Sequence, residues 1–303
     1  MSYAEIARRG GGILNSADRL HHTSEEDLFR QTMRRAEEIW QKGTGCVEVK
    51  SGYGLNTADE LKMLRVARRV GRESPLRVVT TFLGAHAVGR DYAGRQGEYV
   101  DHIVDEMLPR VAEEGLADFV DVFCDEGFFT PEETDRILEA AAKYGLRGKI
   151  HADELAYSGG SRVAIARQAL SADHLEALTE EGIALYIPTA LPGTSFFLHM
   201  RYAPARQIID AGLPLALASD YNPGSTPSGD MKFVWSLGCT QLRLTPEEAF
   251  NAVTLNTAAA MNLSAEYGSV EVGKRASLLF LDDVPSLAWL PYQYTTPLRH
   301  ARL

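Results

Sequence analysis

Short apolar, β-branched runs alternate with longer stretches of helical periodicity along most of this 303-residue chain. This alternation constrains the fold most, because strands that alternate with helices form a parallel sheet covered by helices. The predicted strands are residues 45–49, 77–82, 119–123, 148–151, 169–172, 184–187 and 213–218. Two architectures remain, a doubly wound sheet and a (β/α)8 barrel. The number of strand-and-helix units, about seven, and the lack of a G-x-G-x-x-G motif after the first strand favour the barrel.

Helix signals lie between these runs. The predicted helices are residues 24–41, 57–71, 130–144 and 245–263. Ser24 with Asp27, and Thr57 with Glu60, have the spacing of a capping pair at a helix start. Pro131 suits the first position of the third helix. After the last helix, residues 268–283 alternate like a hairpin of short strands, which predicts a small β appendage outside the barrel.

Charge and cysteine content narrow the range of partners. Lys and Arg total 31 against 41 for Asp and Glu, so the formal net charge is −10. An acidic surface repels nucleic acids and anionic membranes. No apolar run approaches the ~20 residues that span a bilayer, and the first residues lack the apolar core of a signal peptide. With three scattered cysteines, we expect a cytoplasmic protein with a small-molecule substrate, and neither nucleic acid nor membrane as partner.

Polar side chains follow several predicted strands, at the edge where the carboxyl ends of parallel strands meet. His151 ends one strand, His174 follows the next, and Asp220 follows the last. Imidazole and carboxylate ligands suit a cation such as Zn2+, which activates water near neutral pH. Asp220 could also accept the proton of that water, and Glu154 could pass a proton to a leaving nitrogen. Tyr53 lies between two glycines, which let a backbone approach a ligand.

Each of these residues also has a purely structural interpretation. A single histidine at a strand end is more often a hydrogen-bonded structural residue than a ligand. Asp220, followed by Tyr-Asn-Pro-Gly, can simply shape a turn, and Tyr53 can belong to a tight turn. Taken singly, each residue favours the structural interpretation, but His151, His174 and Asp220 at three separate strand ends favour a functional site.

Four segments resemble the imidazolonepropionase family, histidine-degrading enzymes of the amidohydrolase superfamily. They are EVKSGYGL at 48–55, HADE at 151–154, SDYNPGS at 219–225 and GSVEVGK at 268–274. The resemblance implies a (β/α)8 metallo-hydrolase barrel with one Zn2+ or Fe ion, and a homodimer, since family members are commonly dimers. The implied reaction is hydrolytic opening of 4-imidazolone-5-propanoate to N-formimino-L-glutamate.

The resemblance also implies roles for individual residues. His151 and Asp220 correspond to metal ligands, and Glu154 and His174, with Asp220, to catalytic or water-orienting groups. The implied substrate contacts are Tyr53, His86, Glu154, Asn222, Gly224 and Ser225. His86 is the group expected to bind the propanoate carboxylate.

One family feature has no counterpart in this sequence. The family places a His-x-His pair, two further metal ligands, at the end of the first barrel strand, and no His-x-His occurs here. We therefore expect an N-terminally truncated barrel that lacks its first strand, residues 1–265, and the C-terminal part of a small β-sandwich appendage, residues 266–303. Two ligands are fewer than the three usual for catalytic zinc. Metal should then bind weakly, and the polypeptide as written should show little or no hydrolysis.

Two other functions remain open. One is a different cyclic amidohydrolase, or an aminohydrolase acting on a purine or pyrimidine, although the Ser-Gly-Tyr-Gly loop argues against it. The other is a catalytically inactive truncated barrel that only binds a small acid. Metal content would separate an enzyme from a binder of this kind.

Overall fold

A computed structural model describes residues 12–179 and 187–300. Its main feature is a seven-stranded parallel sheet in which the strands follow one another in chain order. The strands are β1 (Cys46–Lys50), β2 (Arg77–Ala85), β3 (Phe119–Cys124), β4 (Arg147–Ala152), β5 (Ser171–His174), β6 (Ile187–Ala190) and β7 (Ala216–Leu217). This order confirms the predicted α/β fold of the (β/α)8 type. Most of the predicted strand 184–187 lies outside the described residues, and β6 begins at its last residue.

Helices connect the strands and cover one face of the sheet. They are α1 (Ile13–His21), α2 (Glu25–Gln41), α3 (Thr57–Glu73), α4 (Gln96–His102), α5 (Leu108–Glu113), α6 (Pro131–Ala142), α7 (Gly160–Ala166), α8 (Pro192–Leu198), α9 (Ala205–Asp210), α10 (Met231–Thr240), α11 (Pro246–Val253), α12 (Leu255–Ala260) and α13 (Trp289–Tyr292). The main apolar core lies between these helices and the sheet, with Phe82, Ile150 and Leu217 fully buried. Within the described ranges, no helix has the length and apolar character to cross a membrane.

The helix starts show how local sequence sets element boundaries. Ser24 caps α2 by accepting a hydrogen bond from the backbone N–H of Asp27, as predicted. The predicted pairing of Thr57 with Glu60 is wrong, because the residue that caps α3 is Asn56. The side chain of Glu60 instead accepts hydrogen bonds from the loop before the helix. The fold therefore uses Glu60 to hold the preceding loop and not to cap the helix.

The sheet is curled, because side chains from its first strand meet side chains from its middle strands. The Lys50 ammonium of β1 lies 2.5 Å from Asp121 Oδ2 on β3 and 2.9 Å from Asp173 Oδ2 on β5. A flat sheet would hold β1 and β5 about four strand spacings of ~4.8 Å apart. In the part of the chain that the structure describes, β1 pairs only with β2 and β7 only with β6.

The C-terminal region departs from the sequence prediction in two ways. The predicted helix 245–263 is divided into α11 and α12 at Thr254, whose backbone is not helical. The predicted hairpin 268–283 is wrong: β8 (Leu279–Phe280) pairs antiparallel with β9 (Arg299–His300). The sequence pattern identified a strand but not its partner. The division into domains at residues 265 and 266 stays a prediction.

Candidate active site

One cavity of about 940 Å³ runs between β1 and the region after β7, from the carboxyl ends of the strands to the opposite end of the sheet, where Gly45 and Leu76 line it. All nine residues singled out from the sequence line it: Tyr53, His86, His151, Glu154, His174, Asp220, Asn222, Gly224 and Ser225. Their assignment to catalysis, metal or substrate stays a prediction. The convergence follows from the parallel topology, which brings the loops after successive strands to the same edge.

His151 and His174 lie side by side at the ends of β4 and β5, with ring centres 5.1 Å apart. Burial opposes a charge on His151, but Asp121 Oδ2 lies 3.0 Å from its Nδ1 and raises the pKa of the imidazole above its ordinary value. Burial lowers the pKa of His174 to about 4. His174 is therefore neutral near pH 7, with one ring nitrogen as a donor and the other as an acceptor.

Two buried carboxyl groups flank His174. Glu154 Oε2 lies 3.7 Å from Nε2 of His174, and Glu176 Oε2 lies 3.7 Å from Nδ1. Burial, with Glu176 and Asp220 nearby, raises the pKa of Glu154 well above its usual range. Burial likewise raises the pKa of Glu176 to about 8, although Ser195 donates to it at 2.9 Å. Protonated carboxyl groups near neutral pH can act as acids toward a leaving nitrogen.

The backbone that carries Glu154 is held by a second carboxylate. Asp125 Oδ2 accepts from the N–H groups of Glu154 at 2.7 Å and Leu155 at 2.9 Å, and Oδ1 accepts from that of Ala156 at 3.2 Å. Three backbone donors on one side chain fix the turn after β4. Asp125 therefore determines where Glu154 enters the cavity.

The loop after β7 gives Asp220 an unusual backbone. Its φ of 51° is in the left-handed region, which non-glycine residues seldom adopt. Its Oδ2 accepts hydrogen bonds from Thr194 Oγ1 at 2.5 Å and from Ser225 Oγ at 3.2 Å. A residue held in this conformation with an oriented carboxylate is typical of a functional site.

The side chain of Asn222 is fully used within the same loop. Its Oδ1 accepts from the N–H groups of Gly224 and Ser225, both at 2.8 Å. Its Nδ2 donates to Asp220 O and to Ser225 Oγ, both at 2.7 Å. An amide has two donors and two acceptor positions, so these bonds leave none for a ligand. The side chain of Asn222 therefore shapes the turn, and its predicted contact with substrate stays a prediction.

Tyr53 and His86 form the opposite wall. Their rings meet edge to face with centres 5.1 Å apart. His86 Nδ1 donates to the carbonyl oxygen of Gly52 at 3.0 Å, since a carbonyl can only accept. Burial lowers the pKa of His86 to about 3, so its ring is neutral and Nε2 is left as an acceptor. The expected contact with a propanoate carboxylate stays a prediction, and it would require a proton on Nε2 as well.

A network of buried charges lies beneath these residues and was not selected from the sequence. Lys50 pairs with Asp121, Asp173 and Glu48, and Lys149 also pairs with Glu48. Burial raises the pKa of Asp121, but the positive charges of His151 and Lys50 outweigh it and hold that pKa far below its ordinary value. The available signal was a charged residue inside an apolar strand, as in FVDVF at 119–123.

The site has donors suited to a metal ion. Ligand atoms of Asp121, His151 and Asp173 all lie within 4.8 Å of one another. The Lys50 ammonium already lies between the two carboxylates and offsets one of their two negative charges. His151 and Asp220 offer imidazole and carboxylate to the cavity, and among the described residues Nδ1 of His174 is buried with no hydrogen-bond partner. Imidazole and carboxylate are the ligands that Zn2+ and Fe prefer, so the chemistry of these donors suits such an ion. Among the described residues, the group whose ligand atoms converge is Asp121, His151 and Asp173, and Asp220 is not part of it.

The fold and the cavity define a hydrolase of the amidohydrolase class, and the model of the amidohydrolase family matches residues 7–288. A solved structure of an adenosine deaminase from Xanthomonas campestris with bound zinc has the same fold, with a TM-score of 0.71 and 19% sequence identity. The match covers 96% of this chain and 71% of that one.

Two curated relatives identify the family within the amidohydrolase class. The imidazolonepropionase of Christiangramia forsetii is 48% identical over 301 residues, which are 98% of this chain and 73% of the relative. That of Flavobacterium psychrophilum is 48% identical over 303 residues, covering 98% of this chain and 74% of the relative. This chain belongs to the imidazolonepropionase family of amidohydrolases.

Proposed function

We propose that the active site of this chain is built for the hydrolysis of the cyclic amide of 4-imidazolone-5-propanoate to N-formimino-L-glutamate in histidine degradation. Because only His151 and Asp220 are assigned as metal ligands, we expect turnover by the polypeptide as written to be low. The observation that carries the proposal is one cavity at the strand ends that combines imidazole, buried carboxyl and tyrosine side chains. The names of the relatives at 48% identity support this substrate. A cytoplasmic homodimer is the form in which we propose it acts.

We propose that His151 and Asp220 hold one Zn2+ or Fe ion in this cavity. When bound, such an ion polarises a carbonyl group and lowers the pKa of water. Asp220 has the oriented carboxylate that can take a proton from the attacking water, since Thr194 and Ser225 hold its Oδ2 from two sides. The oxygen of that water ends in the new carboxylate of the product.

The bond that breaks joins the carbonyl carbon to a ring nitrogen, which must receive a proton as it leaves. Glu154 is suited to donate it, because burial and nearby carboxyl groups raise its pKa well above the usual range. His174 lies 3.7 Å from Glu154 and is neutral. It can therefore orient the Glu154 carboxyl group without drawing the proton away.

The substrate class is tested by equilibrium binding and by turnover. The purified chain is titrated with N-formimino-L-glutamate, guanine and cytosine, and we expect saturable binding of the first only. Turnover of 4-imidazolone-5-propanoate is followed by its absorbance with zinc or iron added. Any turnover should fall by about 100-fold or more in Glu154→Gln, since a positioned acid contributes on this order. Binding or deamination of guanine or cytosine in preference to N-formimino-L-glutamate and 4-imidazolone-5-propanoate would refute the proposal.

A further inference from the structure

The loop that presents Tyr53 wraps around the side chain of Glu60, which is fully buried in the first turn of α3. Glu60 Oε1 accepts from the N–H groups of Gly54 at 2.7 Å and Leu55 at 2.9 Å. Its Oε2 accepts from that of Gly52 at 3.0 Å. Successive N–H groups that converge on one point form a concave binding site for an anion. In this chain the acceptor is an internal carboxyl group, whose pKa burial raises above its ordinary value, so the loop is built around Glu60.

The loop is also tied to the sheet beside it. Ser51 Oγ accepts from the N–H of Leu83 on β2 at 2.9 Å, and the Ser51 N–H donates to Thr81 O at 2.9 Å. A Cβ on Gly54 would lie 2.4 Å from the backbone nitrogen of Glu60 and 2.9 Å from its Oε1. The close contact between this loop and Glu60 therefore requires glycine at position 54.

The same loop sets the orientation of His86. The Gly52 peptide joins the two groups, because its N–H donates to Glu60 and its carbonyl oxygen accepts from His86 Nδ1. Gly52 has a φ of +103°, and a Cβ there would lie 3.0 Å from His86 Nδ1. If Gly52 turned away, His86 would lose the acceptor that keeps its proton on Nδ1. Tyr53, which packs on the His86 ring, would move with it.

We propose that Glu60 is a positioning residue of the candidate active site: it holds loop 51–55 so that Tyr53 packs on His86 and His86 offers Nε2 to the cavity as an acceptor. The effect of Glu60 on ligand binding rests on the proposed function of this site. Glu60 itself lies behind the loop and acts through Tyr53 and His86. Since the loop must otherwise be ordered when ligand binds, loss of Glu60 should weaken affinity.

The test uses Glu60→Gln in the full chain, with two readouts. The ring-nitrogen NMR shifts of His86, assigned by their loss in His86→Asn, report which nitrogen carries the proton. We expect Nδ1 to be protonated in the unchanged chain and the two tautomers to mix in Glu60→Gln. The Kd for N-formimino-L-glutamate should rise about tenfold, on the order of one lost hydrogen bond to a charged group.

Asp118→Asn is the matched control, since Asp118 also accepts a backbone N–H, that of Thr80 at 2.8 Å, but at the opposite end of the sheet. It should lower the melting temperature and leave the Kd within about twofold. If Glu60→Gln does not fold, Gly54→Ala displaces the same carboxylate and takes its place.

The proposal is overturned if His86 keeps a single tautomer in Glu60→Gln, if the Kd of that variant is unchanged, or if Asp118→Asn weakens binding equally. If the unchanged chain does not bind N-formimino-L-glutamate, the proposed function fails. The NMR readout then still decides whether Glu60 positions His86.

Discussion

The buried charge network predicts a large effect of replacing one lysine. In Lys50→Met, the ammonium that lies 2.5 Å from Asp121 and 2.9 Å from Asp173 is removed, and a side chain of similar length remains. Asp121 is fully buried and Asp173 nearly so. Neither carboxylate can reach bulk water without moving its strand. Asp173 therefore loses its main cationic partner, and Asp121 keeps only His151 beside it.

The magnitude follows from this geometry. Removing one partner of a buried ion pair costs about 3–5 kcal/mol, and Lys50 should be at the lower end, since 22% of its side chain is exposed. With an unfolding entropy of about 2.1 cal/mol/K per residue, 1 kcal/mol shifts the melting temperature of a chain this long by roughly 1.6 °C. We expect Lys50→Met to lose about 3 kcal/mol and to melt about 5 °C lower.

The assay is urea and thermal denaturation of Lys50→Met beside Lys42→Met. Lys42 pairs with Glu38 on the surface of α2, and its loss should cost less than about 1 kcal/mol. The difference in unfolding free energy between Lys50→Met and Lys42→Met should also shrink in acid. Asp121 has a lowered pKa in the folded chain, so its contribution is present above its unfolded pKa and is lost as the pH falls. A Lys50→Met chain that is as stable as Lys42→Met at pH 7 would refute the reasoning.

Three further predictions follow from single side chains. Burial raises the pKa of Glu176 from 4.5 to about 8. At a pH between 4.5 and 8, the folded chain keeps a proton on Glu176 that the unfolded chain has released, so the free energy of unfolding falls as the pH rises. In metal-free protein, Glu176→Gln should therefore be about 1–3 kcal/mol more stable than the unchanged chain at pH 7, and the two should be nearly equally stable at pH 4. A gain in stability that does not depend on pH would contradict the raised pKa of Glu176 as its cause. Thr130→Ala removes the capping box that Thr130 forms with Glu133 and should cost about 1 kcal/mol in urea denaturation; unchanged stability would mean that this cap is not needed. His151→Ala should retain less zinc or iron than the unchanged chain after dialysis against the metal, and equal metal content would show that His151 is not a ligand.

The local features of the fold could be predicted because their causes lie within a few residues. The strands and the main helices follow from apolar periodicity, and the cap at Ser24 needs only the backbone N–H of Asp27, three residues later. The candidate site could be predicted in outline for a related reason. In a parallel sheet, a residue that ends a strand lies at the common edge, so His151, His174 and Asp220 reach one cavity whatever the details of packing.

Tertiary structure decided which partner each polar group found. Glu60 lies three residues after Thr57, which is the spacing of a capping box, but the preceding loop folds back and donates backbone hydrogen bonds to the Glu60 carboxylate. Lys50 meets Asp121 and Asp173 across 71 and 123 residues of sequence. These contacts exist because the sheet curls and brings β1 against β3 and β5. Local sequence sets where a strand begins and ends, but only the packing of the whole sheet sets which buried charges face each other, because an ion pair requires proximity in space rather than along the chain.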